Sequence, residues 1–409
     1  MSTALTASEP AHSTTSQRLV FTVVTLLYWT SMYVYVPTLS PFLSGRGLSM
    51  QLIGIVLGSY GFVQMLVRFP VGVASDRFGK RKPFIILGMV TALLSCLLFL
   101  VPGHWLWPLG GRAMAGICAS TWVAFTVMYA NYFAAEDAAR AMGSISVMIV
   151  SGQMLGMLMS GTVTDMWGDA APFITGAIIA GVGLLLGLIL KEPPKQLHER
   201  VGMTLAMARS IIGTKLLLQV SLLSILAHGV LFITMFGFTP LKAETLGITG
   251  YGLTLIVFAF MLPHALASMF TAKWFAPRFG NWVTIGIGFV LSTICTVAIA
   301  YTDSFAMLAL TQAINGFAQG LHLPLLLGLA IRDVQPAGRA TAMGLYQAVY
   351  SIGMFSGPFL AGWLNDSWGM NSGFWFGGML GAAAALLCAW WYMKERTTSR
   401  NVAGNSGNK

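Results

Sequence analysis

Charge is scarce in this sequence. Only 9% of its 409 residues are Asp, Glu, Lys or Arg, against roughly 25% in soluble domains. Hydrophobic residues make up 56%, and the mean hydropathy is +0.74. That shortage excludes the soluble class and points to an integral membrane protein. Alternating barrel strands of about ten residues are absent. The apolar segments run instead to about 20 residues or more, enough for a helix to cross a hydrocarbon core of about 30 Å. Cysteine is scarce too: Cys96, Cys118, Cys295 and Cys388 all fall inside apolar segments and form no CxxC pair. Neither a disulfide framework nor a metal site is expected. HExxH, paired intramembrane aspartates and a Gly-x4-Gly-Lys-Ser/Thr phosphate loop are all missing. An intramembrane enzyme, a primary pump and a cofactor are therefore not expected. No sizeable soluble output domain is visible, which argues against a receptor. The interior also lacks acid: all 13 Asp and Glu fall in loops, tails or helix ends.

What is there is a succession of apolar segments. Helices are expected at about 18–43, 50–75, 83–102, 105–133, 141–165 and 170–191, numbered spans 1 to 6. Spans 7 to 12 follow at about 215–241, 250–275, 281–301, 305–331, 338–364 and 372–393. Residues 1–17 read as a polar tail without a basic leader, 192–214 as a linker and 394–409 as a second tail. Of the 23 Lys and Arg, 19 fall on the side of the turn at 76–82; only Arg46 and Lys242 fall opposite. That asymmetry predicts a cytoplasmic location for both termini in a cell membrane. The net charge of +10 then follows from topology and anionic lipid, with no nucleic acid partner required.

An internal repeat is legible. TDMWG at 164–168 recurs as NDSWG at 365–369, AMG at 141–143 as AMG at 342–344, and RFG at 77–79 as RFG at 278–280, each offset by 201. Two parallel six-helix halves, 18–191 and 215–393, are therefore expected. Such halves are a transporter architecture, with the solute site at the midplane between them.

The segment GVASDRFGKRK resembles the loop-2/3 signature of the major facilitator superfamily, with Gly72, Asp76, Arg77, Gly79, Lys80 and Arg81 matching it. Glycines permit a tight turn and the cations anchor it on one side. The resemblance implies that Asp76 latches one conformational state; the alternative is a topological anchor alone. A span-5 glycine pattern similar to that of proton-coupled exporters holds Gly143, Gly152, Gly156 and Gly161, with Met157 where the family has proline. Span 11 carries Gly344, Gly353, Gly357, Pro358 and Gly362 in the same register. Small residues at this spacing are helix-packing features first. Arg112 and Gly116 resemble the span-4 Arg-x-x-x-Gly motif of drug exporters. A cation inside a span is expensive, so Arg112 should face a cavity or partner, unless it snorkels to the interface.

The resemblance implies an all-α membrane protein of 12 transmembrane helices in two pseudo-symmetric halves, the major facilitator fold. It implies secondary active transport of a small organic solute by alternating access, most similar to bacterial drug:proton antiporters and so to efflux. Import or facilitated passage of a polar or anionic metabolite is the alternative. The expected partners are the solute, protons or another coupling ion, and the bilayer, with the protein a monomer. Site candidates are Arg68, Gln64, Arg112, Tyr28, Trp29, His228, His264, His322, Gln312, Asn315 and Gln319. Tyr60, Gln64 and Arg68 share one face of span 2. Gln312–Gly316 aligns with Arg112–Gly116 at an offset of 200. Histidine is the side chain that charges most easily near neutral pH; a hydrogen-bonded packing role is its bland alternative. An interior with arginines and no carboxylate suits an anionic, zwitterionic or polar solute.

Overall fold

A computed structural model describes residues 15–133, 138–192, 213–334 and 339–406, without the side chains of 76, 138–141, 339–341 and 398–406. The tail at 1–14, most of the linker and residues 407–409 lie outside the described residues.

Helical rods follow one another in the order the hydropathy predicts. The first half holds Thr15–Tyr33 continued by Leu39–Gly45 (span 1), Met50–Phe78 (2), Lys82–Leu100 (3), Leu106–Ser120 with Trp122–Ala130 (4), Ala138–Trp167 (5) and Ala171–Ile189 (6). The second half opens with Lys215–Ile233, a π turn Thr234–Phe238 and Thr239–Thr245 (7). Tyr251–Phe270, a π turn Thr271–Phe275 and Ala276–Phe279 make span 8. Asn281–Ile299, Phe305–Arg332, Arg339–Trp368 and Asn371–Ser406 are spans 9 to 12. Ten of these rods are long and apolar enough to cross a membrane by length and composition. The other two are span 1, interrupted between Tyr33 and Leu39, and span 11, which carries Gln347, Ser351, Asn365 and Asp366.

The halves repeat each other in packing as well as in sequence. Span 1 packs on 5 and 6, span 2 on 4, and span 3 on 4 and 6; span 7 packs on 11 and 12, span 8 on 10, and span 9 on 10 and 12. Even the interruption of the first helix recurs, at 34–38 and at 234–238. Spans 2 and 11 and spans 5 and 8 join the halves.

Two expectations need correction. Gly79 makes the turn after span 2, as a left-handed cap at φ 63°, a conformation glycine adopts without steric cost. Gly72 does not: it lies within the helix, where an added Cβ would meet only the Val123 side chain, at 3.9 Å. Span 12 also runs on to Ser406 rather than ending near 393. No proline and no glycine before Gly404 interrupts the segment after Met393, so the helix outlasts its apolar part.

The end bearing Lys80–Lys82 is called the basic end below, and its opposite the far end. At the far end the halves meet closely. Ser40 Oγ donates to Gly237 O at 2.6 Å, and Gly161 N to Thr254 Oγ1 at 3.0 Å. Caps expose an asymmetry there. Span 2 caps itself, Ser49 Oγ accepting from Leu52 N at 3.3 Å. Span 8 begins after Gly250, 201 residues on, which has no side chain to offer. Asp165 of the other half supplies the acceptor instead, its Oδ2 taking the Tyr251 N–H at 2.7 Å. A lost cap costs about 1 kcal/mol, which is about fivefold in an equilibrium. Asp165→Ala is therefore expected to shift the protein about fivefold towards opening at the far end. Its repeat mate Asp366 is exposed, and span 2 already has its own cap, so Asp366→Ala should shift nothing. Spin labels at exposed Gly45→Cys and Thr245→Cys would read the difference; equal distance distributions for both alanine variants would refute the cross-half cap.

Candidate solute cavity between the halves

A cavity of about 560 Å³ lies between spans 5 and 8, from mid-molecule towards the basic end. Span 5 contributes Val147, Val150, Ser151 and Met154, the spacing that keeps side chains on one helix face. Span 8 contributes Phe260, His264 and Ser268, with Met261, Ala265 and Met269 beside them. Tyr33 and Tyr60 come from the first half; His228, Phe232, Phe236 and Met354 come from the second. Val147 and Met269 are largely exposed, whereas Tyr60, Phe232 and Phe260 are buried. The cavity is thus open between spans 5 and 8 and blind towards the sealed far end.

At the blind end, Tyr33, Tyr60, Phe232 and Phe236 also line a small recess of about 10 Å³ that contains Arg112. Arg112 is only 3% exposed, so it does not snorkel to the interface. Its guanidinium lies 4.3 Å from the centroid of the Tyr60 ring. Tyr33 and Tyr60 line the recess around it, and the Tyr35 hydroxyl is a hydrogen-bonding neighbour. Span 4 can bring it this close because Gly116, one turn on, packs on the span-2 backbone: a Cβ there would lie 2.8 Å from Tyr60 O.

Arg68 is placed differently. Its Nη1 donates to Gln347 Oε1 at 3.0 Å and to the Tyr350 hydroxyl at 3.3 Å, and its Nη2 to Ala119 O at 3.2 Å. It ties spans 2, 4 and 11 together. The Tyr350 ring stacks on His228 at 4.0 Å, and His228 Nδ1 lies 2.8 Å from Ser224 O. The shared face of span 2 does look towards the other half: Tyr60 stacks with Phe232, and Gln64 lies against Met354.

Of the sequence candidates, His228, His264 and Arg112 therefore meet the cavity and its recess. The others do not. Tyr28 donates to Cys118 O, and Trp29 packs against Tyr28, Tyr33 and Trp122 inside the first half. Gln312, Asn315, Gln319 and His322 are fully buried on span 10. Asn315 accepts from Ser292 of span 9, while His322 bonds Gln319 and stacks on Phe289. These polar side chains belong to the interior of the second half.

The glycines divide in the same way. A Cβ on Gly152 would lie 2.7 Å from the Trp29 Cβ, and one on Gly156 would lie 2.7 Å from Thr30 O. Gly353 and Gly357 pack on span 7, with Gly229 O 2.8 Å from a Cβ at 357, and Pro358 packs on Gly54. Gly362 approaches span 2, with Gly54 Cα at 2.8 Å, and Gly161 abuts Gly250. Gly143 and Gly344 face open space and make no such approach. In the basic turn, Arg81 Nη1 reaches Ser75 Oγ at 2.5 Å and its N–H bonds Glu192; Lys82 Nζ donates to Leu188 O at 2.6 Å. The turn is thereby fastened to the end of its own half. Arg77 and Lys80 are exposed, and the Asp76 side chain lies outside the described residues.

The span-5 wall and Phe232, Phe236 and Met261 are not among the sequence candidates. Their signal was present as Ser, Met and Val recurring along one face of span 5, but an apolar stripe in a membrane helix reads equally well as lipid contact. Among the described residues, no carboxylate lines the cavity and no cluster of ligating side chains could hold a metal.

The family model of the Major Facilitator Superfamily matches residues 21–249 and 220–408. The chain is 25% identical over 346 residues to the tetracycline resistance protein, class C, of Escherichia coli, covering 82% of this chain and 85% of that protein. It is 31% identical over 149 residues to the quinolone resistance protein NorA of Staphylococcus aureus, covering 36% of this chain and 38% of that one. Among solved structures, a bacterial homologue of the human lysosomal transporter Spinster, inward-facing and occupied, superposes with a TM-score of 0.74. It is 16% identical, covering 93% of this chain and 96% of that one, and shows the fold alone.

Proposed function

The chain belongs to the Major Facilitator Superfamily, and from that premise we propose that it is a proton-coupled exporter of a small organic solute. It is a multi-pass membrane transporter and not an enzyme. We place it in a bacterial inner membrane with both termini in the cytoplasm, on the asymmetry of Lys and Arg. The observation that carries the reading is a cavity between two pseudo-symmetric halves that opens between spans 5 and 8 and is blind at the far end. Alternating access needs such a site, reached from one side at a time. Expulsion rather than uptake is supported by the relatives named for resistance to tetracycline and quinolones. Facilitated passage or import of a polar or anionic metabolite is the second reading, favoured by a cavity lined without carboxylates.

Flux of tetracycline, a quinolone and a panel of organic anions in proteoliposomes, under pH gradients of both polarities, tests the proposal. Flux that reverses with the gradient supports it. Flux indifferent to the gradient leaves a facilitator. The loop residues Gly72, Asp76, Arg77, Gly79, Lys80 and Arg81 are assigned to conformational cycling rather than to solute binding. Asp76 stands in the last turn of span 2, where a carboxylate can meet a helix N-terminus of the other half. Asp76→Asn is expected to slow turnover severalfold while solute affinity stays near wild type. Lost binding with an intact fold would remove the latch assignment.

A further inference from the structure

Two arginines lie buried within the spans, and they are not equivalent. Both are guanidinium groups, and a buried cation is costly unless it is paired or hydrogen-bonded. Arg68 is satisfied by Gln347, Tyr350 and a backbone carbonyl. Arg112 is not. Among the described residues no carboxylate forms an ion pair with it; its Nε has no hydrogen-bond partner, as is also true of Arg68 Nε, so the difference lies in the three bonds that the Arg68 Nη atoms make. The face of Tyr60 offers a cation–π contact and the Tyr35 hydroxyl a hydrogen-bonding neighbour, which offset part of a cation's desolvation but supply no negative charge.

The second half shows that packing does not require a cation here. Gln312 stands 200 residues on from Arg112, and Gly316 from Gly116. Gly316 packs on the Phe260 carbonyl as Gly116 packs on the Tyr60 carbonyl. The same helix crossing is thus built once around a neutral amide and once around a guanidinium. The charge is particular to the half in which the position opens on the cavity.

We propose that Arg112 and its recess form an anion site at the blind end of the cavity, which takes the carboxylate of an amphipathic organic anion with an aromatic body. The recess of about 10 Å³ has room for about one water-sized group. It therefore admits a carboxylate oxygen and excludes the rest of the solute. The body lies in the larger cavity against Tyr33, Phe232 and Phe236, which border both spaces. A carboxylate oxygen on a guanidinium makes a charge-assisted hydrogen bond, and among the described residues no Lys, Arg, Asp or Glu in the cavity wall competes for it.

This assignment rests on the transport reading for the identity of the site, but its test needs no transport. The full chain in phosphatidylcholine nanodiscs is titrated calorimetrically at fixed pH with 1-naphthoate and with its neutral isostere 1-naphthamide. Wild type is expected to prefer the carboxylate by about tenfold or more. Arg112→Gln, which copies the residue at 312, should abolish that preference. Arg112→Lys should keep part of it, and Arg68→Gln should leave it in place. Naphthoate that does not bind, or binds no better than the amide, overturns the site. So does a folded Arg112→Gln that retains the preference; if that variant does not fold, the wild-type pair of titrations and Arg112→Lys decide. Binding of naphthoate without flux in proteoliposomes would refute transport and leave the anion site standing. Flux without a carboxylate preference would do the reverse.

Discussion

Leucine at position 161 is expected to abolish transport by holding the far end of the molecule open. Gly161 on span 5 abuts the Gly250 carbonyl at the start of span 8, and a Cβ would also lie 2.6 Å from Thr254 Oγ1. The Gly250 carbonyl is backbone, in the turn that Asp165 holds through Tyr251 N, so it cannot yield as a long side chain would. Overpacking of this kind costs about 1–3 kcal/mol, and a site closed by the Gly250 carbonyl belongs at the upper end. The cost falls only on the state in which spans 5 and 8 touch. About 3 kcal/mol would shift the balance of states by more than 100-fold, and a carrier confined to one state cannot complete a cycle. Labels at Gly45→Cys and Thr245→Cys should report a longer distance, with solute exchange lost and the melting temperature little changed. Gly143→Leu is the control, since position 143 faces open space. A Gly161→Leu protein that transports normally would mean that spans 5 and 8 do not close in this way.

The contrast between Gly161 and Gly143 shows where sequence reasoning was enough and where it stopped. The repeat at an offset of 201 carried the architecture, because pairs such as Asp165 and Asp366 fix equivalent helix ends in both halves. Glycine spacing located the helix-crossing regions, but it could not separate Gly156, pressed on span 1, from Gly344, which presses on nothing. That distinction depends on which neighbour stands opposite, and a stripe on one helix does not name its partner. Polarity misled for the same reason. Gln312, Asn315 and Gln319 looked like solute contacts and instead fill the seam between spans 8, 9 and 10. Arg112 was legible because a cation inside a span has so few places to go. Tyr28 and Trp29 were not, since an aromatic residue suits a protein interior, an interface or a solute equally well.

Replacing His264 with Gln is expected to uncouple transport from the pH gradient. Of the three candidate histidines, His322 is fully buried behind the cavity wall, with Gln319 on Nε2 and Phe289 on its ring. His228 reaches the cavity, but its Nδ1 lies on the Ser224 carbonyl and its ring stacks on Tyr350, the partner of Arg68. Both positions are structurally committed. His264 lines the cavity beside Ser268, and neither His264 Nδ1 nor Ser268 Oγ has a hydrogen-bond partner. An imidazole on a cavity wall can take and release a proton as access alternates. With one proton exchanged per solute, a gradient of one pH unit sustains about a tenfold concentration ratio. His264→Gln should bring that ratio down towards one, while exchange of solute across a membrane without a gradient continues. His228→Gln and His322→Gln should lower rate or stability and leave the ratio intact. A second force must be separated from this one. An organic anion held by Arg112 would be driven out by an inside-negative potential, at about 2.3 kcal/mol per charge per 100 mV. Potassium diffusion potentials set with valinomycin, applied at equal pH on both sides, isolate that contribution. If His264→Gln still responds to the pH gradient as wild type does, the histidine is not the carrier. If wild type responds to potential alone, export of the anion needs no proton, and proton coupling falls while the Arg112 site remains.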